Sequence, residues 1–475
     1  MPCKWQVMLG GALDAVKSGP TQCHSPLDLK LRQSYTLVKM YIPLHVHSQF
    51  SILNSTASIE DLVEKAKNAR LPALALSDEG NMYGAIEFYK ACREAKIKPI
   101  IGCELHLAPY SRLEKKRTPG TPAGFPLVLL AKNKQGYQNL CKLSSAAHLE
   151  GFYYTPRIDK ALLAQHAEGL ICLSGSLQGL IPYLIIQGKE KEVLQEVEWF
   201  QQLFKDDFYF ELQRNQMSED DISSDGMDKE GWLLQNYRDF ARNQEIVIQK
   251  LVELGRRYNI RCVATNAVHY LERSDWKAHE ILMNVQSGEP CEIWERDSQG
   301  NPKNRVLNPK RQVYFTHEHY LKTPEQMSEL FADLPDAIAA SSDIAEKINL
   351  ELDFKARFYP VFTPPEGFTK EDYLRLLCKE GIPHRYTPER LAKVEEKYPG
   401  KDPLQVVQDR LAYELDIIIS KGMGDYILIV HDFISWAKNR GIPVGPGRGS
   451  GAGSIILFLI GILVVMSLRN SFGMS

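Results

Sequence analysis

The chain has 475 residues, enough for two or three domains with their own cores. Its 44% hydrophobic and 24% charged residues fit a water-soluble globular fold, and a formal net charge of −2 excludes a uniformly basic, nucleic-acid-coating protein. The nine cysteines are scattered and odd in number, with no CxxC pair, which excludes a zinc ribbon and a disulfide framework and suits a reducing compartment.

Residues 1–39 show neither signal-peptide order nor sustained periodicity. They read as an upstream extension, with Met40 the natural start, or as a short flexible arm. From Met40 the chain alternates strand-like and helix-like stretches. Ser58 is placed to cap a helix carrying Ile59, Leu62, Val63 and Ala66 at helical spacing, with Asp61 three residues on. The apolar run at 73–76 predicts a buried strand, and the polar stretch from Ser77 to Asn81 predicts a turn. Ala85, Phe88, Tyr89 and Cys92 mark the next helix. Further strands are predicted at 99–103, 127–131, 169–173, 208–212 and 261–265, with a long helical pattern over 245–258. Strands separated by helices imply parallel pairing through right-handed crossovers, hence an α/β barrel or a doubly wound sheet. Helical character dominates from about residue 325, a proline-rich linker is predicted at 359–366, and a short strand-like run at 442–444 follows. The apolar run 451–468 reads as a buried core helix rather than a membrane span.

Two constellations carry chemistry. His45 and His47 stand two apart on a strand-like opening, so both imidazoles share one face. Asp78 and Glu79 follow one predicted strand, Glu104 ends the next, and His269 follows the 261–265 strand. An α/β barrel builds its site at such strand ends, and a mixture of nitrogen and oxygen ligands suits Zn²⁺ or Mn²⁺. His45, His47, Asp78, Glu104 and His269 are therefore expected to face one cavity. The second constellation is Gly445–Ser454, GPGRGSGAGS, in which glycines let consecutive N–H groups approach an anion and the helix start adds its positive end. Arg448 can grip phosphate oxygens bidentately, and Ser450 or Ser454 can donate a further hydrogen bond. No Lys-Ser/Thr pair makes this a Walker loop.

HVHSQFS (45–51), LSDEGNMYGAIEFY (76–89), KPIIGCE (98–104), LLAKN (129–133), CLSGSLQGLIP (172–182) and ATNAVHYL (264–271) together resemble the polymerase-and-histidinol-phosphatase (PHP) domain that opens bacterial replicative polymerases of the C family. Residues 410–438 and the following GIPVGPGRGSGAGS resemble the start of that family's palm. The resemblance implies a distorted (β/α) PHP barrel over 40–285, then a connector and a mostly helical, incomplete palm over 286–462. In the palm, Gly447, Arg448, Gly449, Ser450 and Ser454 would hold the triphosphate of an incoming deoxynucleotide. It also implies two Mg²⁺ ions held by palm carboxylates that lie beyond residue 475, residues 463–475 reading as an aberrant tail from a shifted frame. Implied partners are primed template DNA and the sliding-clamp, proofreading and clamp-loader subunits in the cytoplasm, with no membrane.

The barrel departs from the family pattern. Glu79 stands where the family has histidine, Ala267 where it has aspartate, Pro126 where a histidine often precedes the strand, and Ser176 where a cysteine or histidine can ligate. A multi-metal cluster with these losses should bind metal weakly. Two outcomes remain: a structural barrel without nuclease activity, or a residual mononuclear site using His45, His47, Glu104 and His269. For the whole chain the readings are a replicative polymerase subunit inactive at this length, a stand-alone metal-dependent phosphoesterase, or a non-catalytic remnant.

Overall fold

The computed structural model describes residues 40–116, 119–354, 360–447 and 450–464, and the chain divides into two units between Leu352 and Asp353. In the first unit the Ser58 hydroxyl accepts the Asp61 N–H at 3.1 Å and caps the helix Ile59–Asn68. Glu60 and Asp61 in the first turn, and Lys65 and Lys67 in the last, complement its dipole. Ile59, Leu62, Val63 and Ala66 form its buried stripe.

The strands are β1 (Ala73–Leu76), β2 (Lys98–Leu107), β3 (Phe125–Ala131), β4 (Arg157–Ile158), β5 (Leu170–Leu173), β6 (Phe208–Gln213), β7 (Arg261–Thr265), β8 (Glu292–Arg296) and β9 (Pro302–Leu307). The main sheet runs β1-β2-β3-β5-β6-β7, with β4 added to β2. β1–β2, β5–β6 and β6–β7 pair in parallel, but β3 is antiparallel to both β2 and β5. All-parallel pairing, expected from the alternation of strands and helices, therefore fails at β3. The described residues between β2 and β3 contain no crossover helix, and strands joined without a crossover run antiparallel.

The extended segment 43–47 closes this sheet. On one side Ala75 and Ser77 donate N–H groups to the Pro43 and Val46 carbonyls, at 3.0 and 2.7 Å. On the other, His47 donates to the Val268 carbonyl (2.9 Å) and Val268 to the His45 carbonyl (3.0 Å). With both edges satisfied, the sheet curls into the expected barrel. Ile42, Leu44, Ala73, Ala75, Ile100, Val128, Leu130, Ile171, Leu173 and Val263 form one apolar cluster. Ala340, Ile344 and Ala345 of the helix Pro335–Lys347 complete it, so this core extends well past residue 285. The β8–β9 hairpin is exposed along its whole length.

The second unit is helical, as the palm resemblance implied. Leu374, Cys378, Val407, Leu411, Leu415, Leu428, Ile455, Ile456 and Leu459 share its core. The apolar run folds differently from the long helix expected. As far as Val464 its one α-helix is Ile455–Leu459, because Gly461 takes a left-handed φ of +82° and turns the chain back, and residues 465–468 of the run lie outside the described residues. Leu463 then donates to the Leu457 carbonyl, and Val464 to that of Pro446. No described helix is long and apolar enough to cross a membrane. Residues 442–444 form no strand, having no neighbouring strand to pair with among the described residues.

Close packing at the start of the helix Lys134–Leu149 gives a test. A Cβ on Gly136 would lie 1.9 Å from the Gly169 carbonyl oxygen, a backbone group with little room to move. Gly136→Ala should cost about 1–3 kcal/mol, read as a lower first-unit melting temperature. An unchanged melt would show that the turn before β5 parts freely.

Candidate metal centre and glycine-rich segment

Barrel closure brings three ligand atoms together. Alternation along segment 43–47 turns His45 and His47 to the same side, where both meet Glu104 of β2. His45 Nε2 lies 2.6 Å and His47 Nε2 3.1 Å from the same oxygen, Glu104 Oε2. Among the described residues, His45, His47 and Glu104 form the one group of three or more histidine, cysteine or acidic side chains whose ligand atoms could hold an ion together. Two imidazole nitrogens and one carboxylate oxygen, with a position open, suit a single Zn²⁺ or Mn²⁺.

Glu211 of β6 escaped the sequence reading. Its Oε1 lies 2.6 Å from His45 Nδ1 and accepts hydrogen bonds from Thr265 Oγ1 (2.5 Å) and Gln213 Nε2 (3.0 Å). The available signal was a lone carboxylate in a strand buried at all six positions. Burial alone would push the His45 imidazolium down, but Glu211 and Glu104 on its two sides reverse this and raise its pKa to about 10. Burial likewise disfavours ionised Glu104, yet hydrogen bonds from His45 and His47 hold it well below the usual carboxylate range. The pocket is thus built to stabilise positive charge between carboxylates.

His269 stacks on His47 with ring centroids 4.3 Å apart, and its Nδ1–H donates to the Asn54 carbonyl at 2.7 Å. It lies beside the three-atom group without joining it. Asp78 faces elsewhere. Its carboxylate accepts from Ser48 N (2.7 Å), Ser48 Oγ (2.9 Å) and Ser51 Oγ (2.7 Å), and it does not line the cavity. Three local donors saturate Asp78 and make it the lock of the turn after His47. Glu79 does line the cavity, which measures about 900 Å³. Pro126, Ser176 and Ala267 line it too, so the substitutions noted in the sequence remove ligands from this same space. Ala267 keeps a left-handed φ of +45°, a conformation that aspartate adopts more readily than alanine.

In the glycine-rich segment, Arg448 and Gly449 lie outside the described residues. Gly447 has φ +93°, and a Cβ there would meet Leu463 Cδ2 at 2.2 Å. Ser450 begins a short 3₁₀ turn, Ser450–Gly453. The Ser454 hydroxyl donates to Glu414 Oε2 at 2.8 Å, and the Ile455 N–H donates to the same oxygen at 3.0 Å. Arg410 Nε donates to Glu414 Oε1 at 2.8 Å. The helix start expected to help hold an anion is therefore already engaged by a buried carboxylate. Its sequence signal was the Arg410–Glu414 pair at i,i+4.

Glu414→Ala strands the Ser454 hydroxyl and the Ile455 N–H and should destabilise the second unit by about 1–3 kcal/mol, seen as a lower denaturant midpoint. An unshifted midpoint would show that water replaces the carboxylate without loss. Two buried histidines of the first unit, His279 and His319, set an acid limit. Burial is the main cause that lowers His279 to about 4 and His319 to about 3. Both stay neutral in the folded chain but protonate near 6.5 when unfolded. The unfolded state then binds more protons below that pH, so stability must fall as pH drops from 7 to 5. Thermal melts should show this slope for the first unit, and His279→Asn with His319→Asn should flatten it. A wild-type melting temperature constant over that range would contradict the assignment.

Comparison with known proteins adds to this geometry. A PHP domain model matches residues 43–215, and a bacterial DNA polymerase III alpha NTPase domain model matches residues 372–474. The DNA polymerase III subunit alpha of Chlamydia muridarum is 47% identical over 441 residues, covering 90% of this chain and 35% of that protein. That of Treponema pallidum is 39% identical over 430 residues, covering 90% and 32%. The chain thus spans about a third of the length of the curated relatives it matches. With both domains matched in one polypeptide and nine-tenths of its length shared with these relatives, the chain belongs to the bacterial DNA polymerase III alpha subunit family.

Proposed function

We propose that this chain serves replicative DNA synthesis as part of a DNA-directed DNA polymerase that adds deoxynucleotides to a primer 3′ end on template DNA. The observation that carries the reading is the glycine-rich segment 445–454, which falls inside the region matched by the polymerase III alpha NTPase domain. Gly447, Arg448, Gly449 and Ser450 hold the incoming triphosphate, while Ser454 is given over to Glu414. Nucleotidyl transfer further needs carboxylates holding Mg²⁺ to activate the primer hydroxyl and neutralise the leaving pyrophosphate. No aspartate or glutamate follows Asp432 in this sequence. The 475 residues alone therefore bind nucleotide without turning it over, since ground-state binding by itself does not accelerate chemistry. The sliding-clamp, proofreading and clamp-loader subunits of a cytoplasmic replisome are the partners this reading carries.

The grouping of His45, His47 and Glu104 supports a second role for the barrel. These three side chains hold one Zn²⁺ or Mn²⁺. Such an ion supplies Lewis acidity and a bound water of lowered pKa, the chemistry of phosphoester hydrolysis. Glu211 fixes His45 by accepting its Nδ1–H, as carboxylates behind ligating histidines do. The substituted positions 79, 126, 176 and 267 make this a weaker centre than a full cluster.

Purified residues 1–475 should bind a fluorescent deoxynucleoside triphosphate in the presence of Mg²⁺, and Arg448→Ala should weaken that binding by about tenfold or more, the loss of one charge-assisted bidentate contact. Primer extension should be absent. Extension that disappears in Arg448→Ala would show that the catalytic carboxylates lie within this chain. Binding indifferent to Arg448 would remove the cradle assignment.

A further inference from the structure

Two loops of the first unit, 110–116 and 149–155, present large apolar side chains to solvent. Tyr110 and Tyr154 are each 69% exposed, Leu113 61%, Leu149 85% and Phe152 53%. Scattered surface apolar residues are ordinary, but five on two adjoining loops make a patch of the kind that marks an interaction site. The loops adjoin because Arg112 Nε and Nη2 donate to Glu150 Oε2, at 2.8 and 2.6 Å. Lys115 Nζ also donates to the Glu150 and Phe152 carbonyls, at 2.7 and 2.6 Å. The buried Arg157 of β4 donates to the Gly151, Ala123 and Glu114 carbonyls at 3.1, 3.0 and 2.9 Å, so one guanidinium ties both loops to the sheet. The patch is therefore preorganised. Its tip is Tyr154. The Tyr153 N–H donates to the Thr155 carbonyl at 3.1 Å, which closes a tight turn around that residue. Tyr154 takes a left-handed φ of +65° there, a conformation unfavourable for a bulky residue and easy for glycine. Its ring is exposed, so burial does not offset that cost. The Tyr153 ring meets it edge-on with centroids 4.7 Å apart and itself lies 5.0 Å from the Arg157 guanidinium. A strained, exposed and supported ring points to a partner outside the chain.

We propose that this patch binds single-stranded nucleic acid, with bases stacked on Tyr110, Phe152 and Tyr154 and phosphates beside Lys115 and Lys116. Residues 110–117 and 149–155 hold four basic side chains, Arg112, Lys115, Lys116 and Arg117, against two acidic ones, Glu114 and Glu150. Arg117 lies outside the described residues. In a chain of formal net charge −2 this is a local positive excess, and Glu150 is already paired with Arg112. Aromatic faces beside cations are the parts of a single-strand platform, because every base has a face to stack and every nucleotide brings a phosphate. A duplex keeps its bases stacked on one another and offers these rings only its backbone. The surface shares no residue with the metal centre, its cavity or the glycine-rich segment.

Fluorescence anisotropy of a labelled oligothymidylate, titrated with the full 475-residue chain, tests this. The strand should bind more tightly than a duplex of the same length. Tyr154→Gly and Phe152→Ser should each weaken strand binding by about tenfold, the loss of one stacked base, and Tyr154→Phe should keep it. Tyr154→Gly also relieves the left-handed strain, so its melting temperature should not fall, which separates lost stacking from lost folding. That variant carries the test if Phe152→Ser does not fold. Lys116→Gln should reduce the slope of log K against log salt by about 0.7, one phosphate contact on a single strand. No strand binding by the wild type, binding unchanged in both ring variants, or strand and duplex bound alike would overturn the proposal. Ring substitutions that spare strand binding but break up a self-associated form in sedimentation would make the patch a protein interface, and would overturn it equally.

Discussion

Segment 43–47 is hydrogen-bonded along both edges, to β1 on one side and to residues 266–269 on the other, and the rest of the first unit depends on this closure. An open seven-stranded sheet would leave two rows of backbone groups unpaired. Here those groups pair with one short segment, which also delivers Leu44 to the apolar cluster and His45 and His47 to Glu104. The turn that follows is held by Asp78, whose three serine-derived hydrogen bonds fix where the segment ends.

Buried carboxylates do comparable work in both units. Glu211 and Glu104 flank His45, and Glu414 joins Arg410 to the Ser454 hydroxyl and the Ile455 N–H. Each sits where removal would leave several polar groups unpaired in a low dielectric, which makes the local geometry rigid. In the barrel that rigidity aims two imidazoles at one point. In the second unit it anchors the end of the glycine-rich segment at Ser454 and Ile455.

Much of this was legible in the sequence. Ser58 and the stripe Ile59, Leu62, Val63 and Ala66 are local signals, and the helix they specify forms where expected. The strand at 73–76 reads equally well, because a buried strand is an uninterrupted apolar run. Strand direction is not encoded in such a run, so the reversed β3 was invisible. Glu211 meets His45 across 166 residues. Pairings at that range leave no periodic trace. The apolar run after Gly451 misled for the opposite reason: its composition suits a long helix, but Gly461 turns the chain back to pack on Leu457 and Pro446.

The central claim is that barrel closure makes a metal centre from His45, His47 and Glu104, and X-ray absorption on protein loaded with one equivalent of Zn²⁺ tests it most directly. The zinc shell should contain two imidazole nitrogens, near 2.0–2.1 Å, and one carboxylate oxygen, near 2.0–2.2 Å, with solvent in the remaining position. In His47→Ala the imidazole multiple-scattering signal should fall by half. A shell of oxygens or thiolates without histidine, or a histidine signal unchanged in that variant, would contradict the claim.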